Sequence, residues 1–312
     1  MKKTRIAIVG LGGVGGYFGG LLAEKYYQSG IVEVVFIVRP ATEKIIKERG
    51  LKLLTAEGER TIYPDFVTSR PEVVGPVDFL ICTTKSYDLE TSLIPFKDCI
   101  GNDTVILPLL NGVDAKARIA NLFPQTEIWD GCVYIVSRQV EPGIVQQTGG
   151  VHSLFFGSTT GVTEKQRAFE NLCINAGIEC RLSDNIIQTI WEKFLFISPM
   201  ASATSYFDEP IGEILTNPDH KNLFTGLVEE LKLVADRLKI SLPSNITSKT
   251  LVRAQKLPFD TTSSMHSDFK KGGKNELETL TGYVVKLGQK MHVETPLYTM
   301  IYSSLVDKSR PA

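Results

Sequence analysis

The stretch Ile6-Ala7-Ile8-Val9-Gly10-Leu11-Gly12-Gly13-Val14-Gly15 decides the fold of the first half of the chain. Four apolar residues run into a Gly-x-Gly-x-x-Gly turn. Val14 to Gln28 then reads as a helix with apolar Phe18, Leu21, Leu22 and Ala23. Strand, glycine turn and helix in this order make the first unit of a dinucleotide-binding domain. Gly10 lets the chain turn sharply out of the strand, and Gly15 lets the helix pack close to it. Gly12 has no side chain to block a pyrophosphate at the helix N-terminus, where free N–H groups and the helix dipole favour negative charge. Met1-Lys2-Lys3-Thr4-Arg5 has the outline of a secretory signal. Glycine at most of positions 10 to 16, followed by Glu24 and Lys25, speaks against one.

The 312 residues suggest two domains, and 43% hydrophobic with 22% charged residues is the balance of a soluble globular chain. A formal net charge of −1 and the lack of a basic tract give no attraction to nucleic acid or anionic membrane. The longest apolar run, Phe194 to Ala203, is interrupted by Ser198 and Pro199 and is too short to span a bilayer. Cys82, Cys99, Cys132, Cys173 and Cys180 are odd in number and form no C-x-x-C. With four scattered histidines they offer no metal-ligand spacing, and no metal is expected. A reducing, cytoplasmic setting fits these thiols.

Glu33 to Val38 reads as a second buried strand. NAD-specific domains place an acid near the end of this strand to bind the ribose 2′-hydroxyl. Here Arg39 stands there, and a guanidinium suits a 2′-phosphate, so NADP is expected. Ala41 to Arg49 looks helical. Leu51–Leu54 and Thr61–Val67 around Glu57–Arg60 read as a hairpin inserted into the βα series. Val77 to Cys82 is a central strand that places Lys85 just past its carboxyl end, where α/β sheets bind ligands. Position alone leaves a solvated lysine equally open. Thr104 to Leu110 is a further strand with Asn111-Gly112 at its end, followed by a helix from Asp114 to Leu122. Ile128 to Val136 reads as another strand, and Val140 to Gly157 as antiparallel structure closing the sheet. Thr163 to Ala176 is an amphipathic helix and Ile178 to Leu182 an edge strand.

From Ser183-Asp184, a good N-cap, only helices follow: a long one through Trp191, Lys193 and Phe196, then about 219–239, 244–256, 264–270, 274–290 and 295–306. This divides the chain into residues 1–182, α/β, and 183–312, all-helical, with a cleft expected between them. The tail from Asp307 is expected to fray.

A nucleotide domain of this kind implies hydride transfer. Reducing a ketone also requires a group that stabilises charge on the carbonyl oxygen and supplies a proton. Lys193, in Ile190-Trp191-Glu192-Lys193-Phe194, could do both. Composition alone favours a lysine that lays its stem on apolar surface and keeps its head in water.

The whole pattern resembles the ketopantoate reductase family, NADPH-dependent 2-dehydropantoate 2-reductases. The resemblance rests on Gly10–Gly15, Arg39, Thr84-Lys85, Asn111-Gly112, Trp191-Glu192-Lys193 and the series Thr262-Ser263-Ser264-Met265, Asp268 and Glu276. It implies a Rossmann-type doubly wound sheet and a helical C-terminal domain of the 6-phosphogluconate dehydrogenase type. By position it implies that Gly10, Gly12, Gly13, Val14 and Gly15 hold the pyrophosphate and Arg39 the 2′-phosphate. Lys85 would lie beside the cofactor, and Asn111 between nicotinamide and substrate. Lys193 would donate the proton, Ser264 and Glu276 would hold the substrate's polar groups, and Glu276 would also support the charge on Lys193. The implied reaction is ketopantoate to pantoate, in pantothenate and coenzyme A biosynthesis. A small 2-oxo acid is the expected partner, and a homodimer is left open.

One wall departs from the family. Asparagines usual four and eight residues after the lysine are replaced by Ile197 and Ala201, and another by Ile211. Positions four apart share a helix face, so a hydroxyl there loses a hydrogen bond, at a cost of about 1–3 kcal/mol. Two alternatives stay open: a family member acting on another 2-oxo acid or ketone, and an NADP-binding sensor without catalysis.

Overall fold

The computed structural model describes residues 3–308. Of the tail expected to fray, Asp307 and Lys308 end a helix, and the remainder lies outside the described residues. The chain forms two compact units. The first is Met1–Leu110 with Asp114–Ile186, and the second is Asn111–Val113 with Ile187–Ala312.

The first unit is built on β1 (Thr4–Val9), β2 (Val32–Ile37), β5 (Phe66–Thr68), β6 (Val77–Cys82), β7 (Ile100–Pro108) and β8 (Glu127–Ile128), in the order β5-β2-β1-β6-β7-β8. All neighbours are parallel, which is the doubly wound order with its switch point between β1 and β6. Apolar runs without alternation fit strands covered on both faces. In β1, Ile6 and Ile8 enter one core while Ala7 and Val9 enter the other.

A second sheet changes the expected picture. Residues 51–62 do form a hairpin, but its strands are β3 (Leu51–Thr55) and β4 (Gly58–Ile62), and Phe66–Thr68 leaves it to pair with β2. The strand expected over 128–136 breaks at Trp129, whose fully buried ring packs on Phe79, Phe156 and Phe169. There the chain passes from β8 to β9 (Asp130–Glu141). β9 pairs antiparallel with β10 (Ile144–Gly157). These strands do not close the first sheet. With β3, β4 and β11 (Glu179–Leu182) they form a separate five-stranded sheet.

Between the sheets lies α1 (Gly13–Tyr26), buried on both sides. A methyl group at Gly16 would meet Val145 Cγ2 at 2.4 Å, and one at Gly19 would meet Ile8 at 3.0 Å. Its small residues therefore let both sheets approach one helix. α2 (Pro40–Arg49), α3 (Leu89–Leu93), α4 (Ala115–Leu122) and α5 (Glu164–Asn175) complete the unit, α5 opening on a Thr163–Gln166 capping box. All five cysteines are buried, and none is in a disulfide.

The second unit contains α6 (Ile186–Phe207, its first residue counted with the other unit), α7 (Ile211–Thr216), α8 (Pro218–Arg237), α9 (Ile246–Gln255), α10 (Ser264–Lys270), α11 (Tyr283–Met291) and α12 (Pro296–Lys308). A π-helical segment, Glu278–Gly282, runs into α11. These helices enclose one core that includes Trp191, Phe194, Phe224, Leu231 and Tyr298. Among the described residues no helix is long and apolar enough to cross a membrane.

Candidate active site

In the first unit the glycine turn is a backbone device. Gly10 has φ +89°, which only glycine adopts without strain. A methyl group at Gly15 would lie 2.0 Å from Gly10 O and 2.2 Å from Thr83 Oγ1. The Thr83 hydroxyl donates to Gly10 O at 2.6 Å, so the residue after β6 clamps the turn after β1. A methyl group at Gly13 would meet Ser137 O at 2.3 Å, and Val14 packs into the core. Gly12 is different, since a methyl group there would meet nothing within 4 Å. It is the N-cap of α1, with no side-chain cap and no acid in the first turn. Orphan N–H groups at the positive end of the dipole beside open space fit a phosphate.

Arg39 is the N-cap of α2. Its side chain is 88% exposed and pairs with Asp88 at 3.6 Å. Lys85, half-buried, precedes the short 3₁₀ turn Ser86–Asp88. That turn is held by Arg118, which donates to Ser86 O at 2.7 Å and to both Glu90 carboxylate oxygens at 2.7 and 2.6 Å. The guanidinium keeps the Glu90 carboxyl below its ordinary range. Asp114, facing the same arginine, is pushed up by burial.

In the second unit the device is made of side chains. Lys193, half-buried on α6, donates from Nζ to Asn111 Oδ1 at 3.0 Å. Asn111 Nδ2 donates to Glu276 Oε2 at 3.4 Å, and Glu276 is 3% exposed. An ammonium only donates and a carboxylate only accepts, so the amide can point only one way. The arrangement joins a cation to a buried carboxylate through a fixed dipole, which lowers the cost of burying the charge.

Glu276 leads into the π segment, its carbonyl accepting the Thr279 and Leu280 N–H groups at 3.1 and 2.9 Å. Ser198 Oγ donates to Leu280 O at 2.6 Å and bonds Tyr298 Oη at 2.7 Å, and Ser202 Oγ bonds Thr281 Oγ1 at 2.8 Å. The α6 hydroxyls therefore lie inside the core. Burial pushes the Tyr298 phenol up. Of the wall residues, Ile197 is partly buried, and Ala201 and Ile211 are buried in that core. Ser264, the first residue of α10, is exposed, and Ser263 rather than Ser264 caps the helix.

The Ketopantoate reductase PanE/ApbA family matches residues 6–161, and its C-terminal counterpart matches residues 185–309. The chain belongs to the ketopantoate reductase family. It is thus an oxidoreductase of the 2-dehydropantoate 2-reductase family. Its crystal-structure relatives include a 2-dehydropantoate 2-reductase from Porphyromonas gingivalis W83, 34% identical with TM-score 0.86, covering 98% of this chain and 100% of that one. A ternary structure of D-mandelate dehydrogenase with NADH and anilino(oxo)acetate is 26% identical with TM-score 0.85, covering 98% of each chain. An uncharacterized oxidoreductase, YkpB of Bacillus subtilis (strain 168), is 27% identical and covers 96% of this chain and 97% of its own.

Within this family member, two sets of the sequence-level candidates come together. Gly10 to Gly15 gather at one turn, while Asn111, Lys193 and Glu276 meet in one hydrogen-bonded row. The sequence motifs do not point to Thr83 or Arg118. Thr83 stands at the end of an apolar strand, a usable signal. The i,i+4 pair Asp114–Arg118 marks a helix face, but nothing in sequence points from Arg118 to Ser86.

Proposed function

We propose that this protein reduces the keto group of a 2-oxo acid to a hydroxyl with NADPH, ketopantoate to pantoate being the conversion the family points to. The row Lys193–Asn111–Glu276 carries this reading. When bound, the nicotinamide supplies the hydride that the carbonyl carbon takes up. Lys193 stabilises charge on the carbonyl oxygen and gives it a proton from Nζ. Asn111 Oδ1 aims the ammonium, and Glu276 balances its charge until the proton leaves. Ser264 receives the substrate's carboxylate. The α1 N-terminus holds the pyrophosphate against Gly12, and Lys85 lies alongside the cofactor. Arg39, whose guanidinium reaches solvent, takes the 2′-phosphate.

A second reading changes the substrate only. The Ser198 and Ser202 hydroxyls are engaged within the core, and Ile197 and Ala201 stand one and two turns from Lys193. That face favours a 2-oxo acid with an apolar side chain, and the likeness to a D-mandelate dehydrogenase agrees. A panel of 2-oxo acids assayed by NADPH and NADH oxidation decides. Preferred use of ketopantoate removes the second reading, and preferred use of phenylglyoxylate removes the first. No turnover of any keto acid would favour a non-catalytic NADP sensor.

A further inference from the structure

We infer that His266 is a positioning residue for the 2-oxo acid site: by linking Asp208 to Thr262 it holds the turn that presents Ser264. The inference rests on the reading of Ser264 as a substrate contact.

His266 is 3% exposed, yet both ring nitrogens are engaged. Nε2 lies 2.6 Å from Asp208 Oδ1, and Nδ1 bonds the Thr262 hydroxyl. A carboxylate only accepts, so Nε2 carries a proton. In the neutral ring Nδ1 then accepts from Thr262.

Asp208 follows the last residue of α6 with φ +58°, a left-handed conformation that few side chains besides Asn and Asp adopt readily. His266, and then Lys270 at 3.3 Å, hold its carboxyl below the ordinary range.

The same turn is tied at three further points. Ser263 Oγ accepts the His266 N–H at 3.0 Å and bonds Thr204 Oγ1 at 2.9 Å. The Ile211 N–H donates to Thr261 O at 2.8 Å. Thr261, Thr262 and Ser263 are thereby committed to the protein, while Ser264 is exposed. Both anchors of the ring matter for the reaction. α6 carries Lys193 near its start and Thr204 near its end, with Asp208 just beyond. His266 therefore fixes the Ser264 turn to the helix that bears the proton donor.

The test measures the affinity of oxamate, an unreactive 2-oxo acid analogue, for the NADPH-saturated protein. His266→Leu and Thr262→Val should each weaken oxamate about tenfold with NADPH affinity unchanged. His266→Asn, whose side-chain amide takes the place of Nδ1 toward Thr262 but gives up the bond to Asp208, should recover only part of the loss and stay about threefold weaker than the unaltered protein. Thr262 is exposed, so its variant carries the test even if His266→Leu does not fold. Unchanged oxamate affinity in both variants, with Ser264→Ala weakened, overturns the inference and leaves His266 a structural residue. Unchanged affinity in Ser264→Ala itself overturns the reading of Ser264, and the inference with it.

Discussion

The two units prepare their sites by opposite means. In the first, glycines let the backbone pack closely and leave the helix N-terminus beside open space at Gly12. In the second, Lys193, Asn111 and Glu276 bring charge and dipole into a half-buried row. A backbone site should fail by what is added, and a side-chain site by what is taken away.

The sharpest test of that contrast is Lys193→Ala. Loss of a general acid lowers turnover by about 10²–10⁴-fold, and NADPH affinity should stay near that of the unaltered protein in a fluorescence titration. Normal turnover would remove Lys193 from the chemistry. Asn111→Ala should act the same way but more weakly. It leaves Glu276 buried without the amide, at a cost of about 1–3 kcal/mol, visible as lower turnover and a lower melting temperature.

In the first unit, Gly15→Ala should destabilise by about 1–3 kcal/mol through overpacking against Gly10 O and Thr83. Gly12→Ala should keep stability within about 0.5 kcal/mol and weaken only NADPH. Equal melting temperatures for the two variants would break the comparison. Arg39→Ala should weaken NADPH more than NADH. Asp88→Asn, which frees the guanidinium from its partner at 3.6 Å, should shift preference slightly the other way.

The smallest effect concerns packing in the second unit. Glu230, buried, accepts the N–H groups of Leu297 and Tyr298 at the start of α12, and burial pushes its carboxyl up. The fold then binds this proton more tightly than the unfolded chain does. Its contribution is full on the acid side of the ordinary carboxylate value and is lost as pH rises through the raised folded value. Glu230→Gln should therefore gain melting temperature relative to the unaltered protein across that window, and a constant difference across pH would refute this.

Much of the first unit was legible because its signals are local. Apolar runs mark strands, and the glycine spacing marks the turn. The second sheet was not, because Thr61–Val67 and Ile128–Val136 look continuous, and only packing around Trp129 and pairing of Phe66–Thr68 with β2 divide them. In the helical half, element positions followed periodicity and caps. The short α7 and the π segment did not, since nothing in Glu278–Gly282 announces its wider turn.

The sequence by itself determined an α/β unit with an anion-ready glycine turn, a helical unit after it, and the residue types a reductase needs. Tertiary structure alone decided which of them meet. Asn111 lies 82 residues from Lys193 and 165 from Glu276, separations at which no periodicity or propensity carries information. Only the packing of α6 against the π segment, held by Ser198 and Ser202, brings that carboxylate to the amide that holds the lysine.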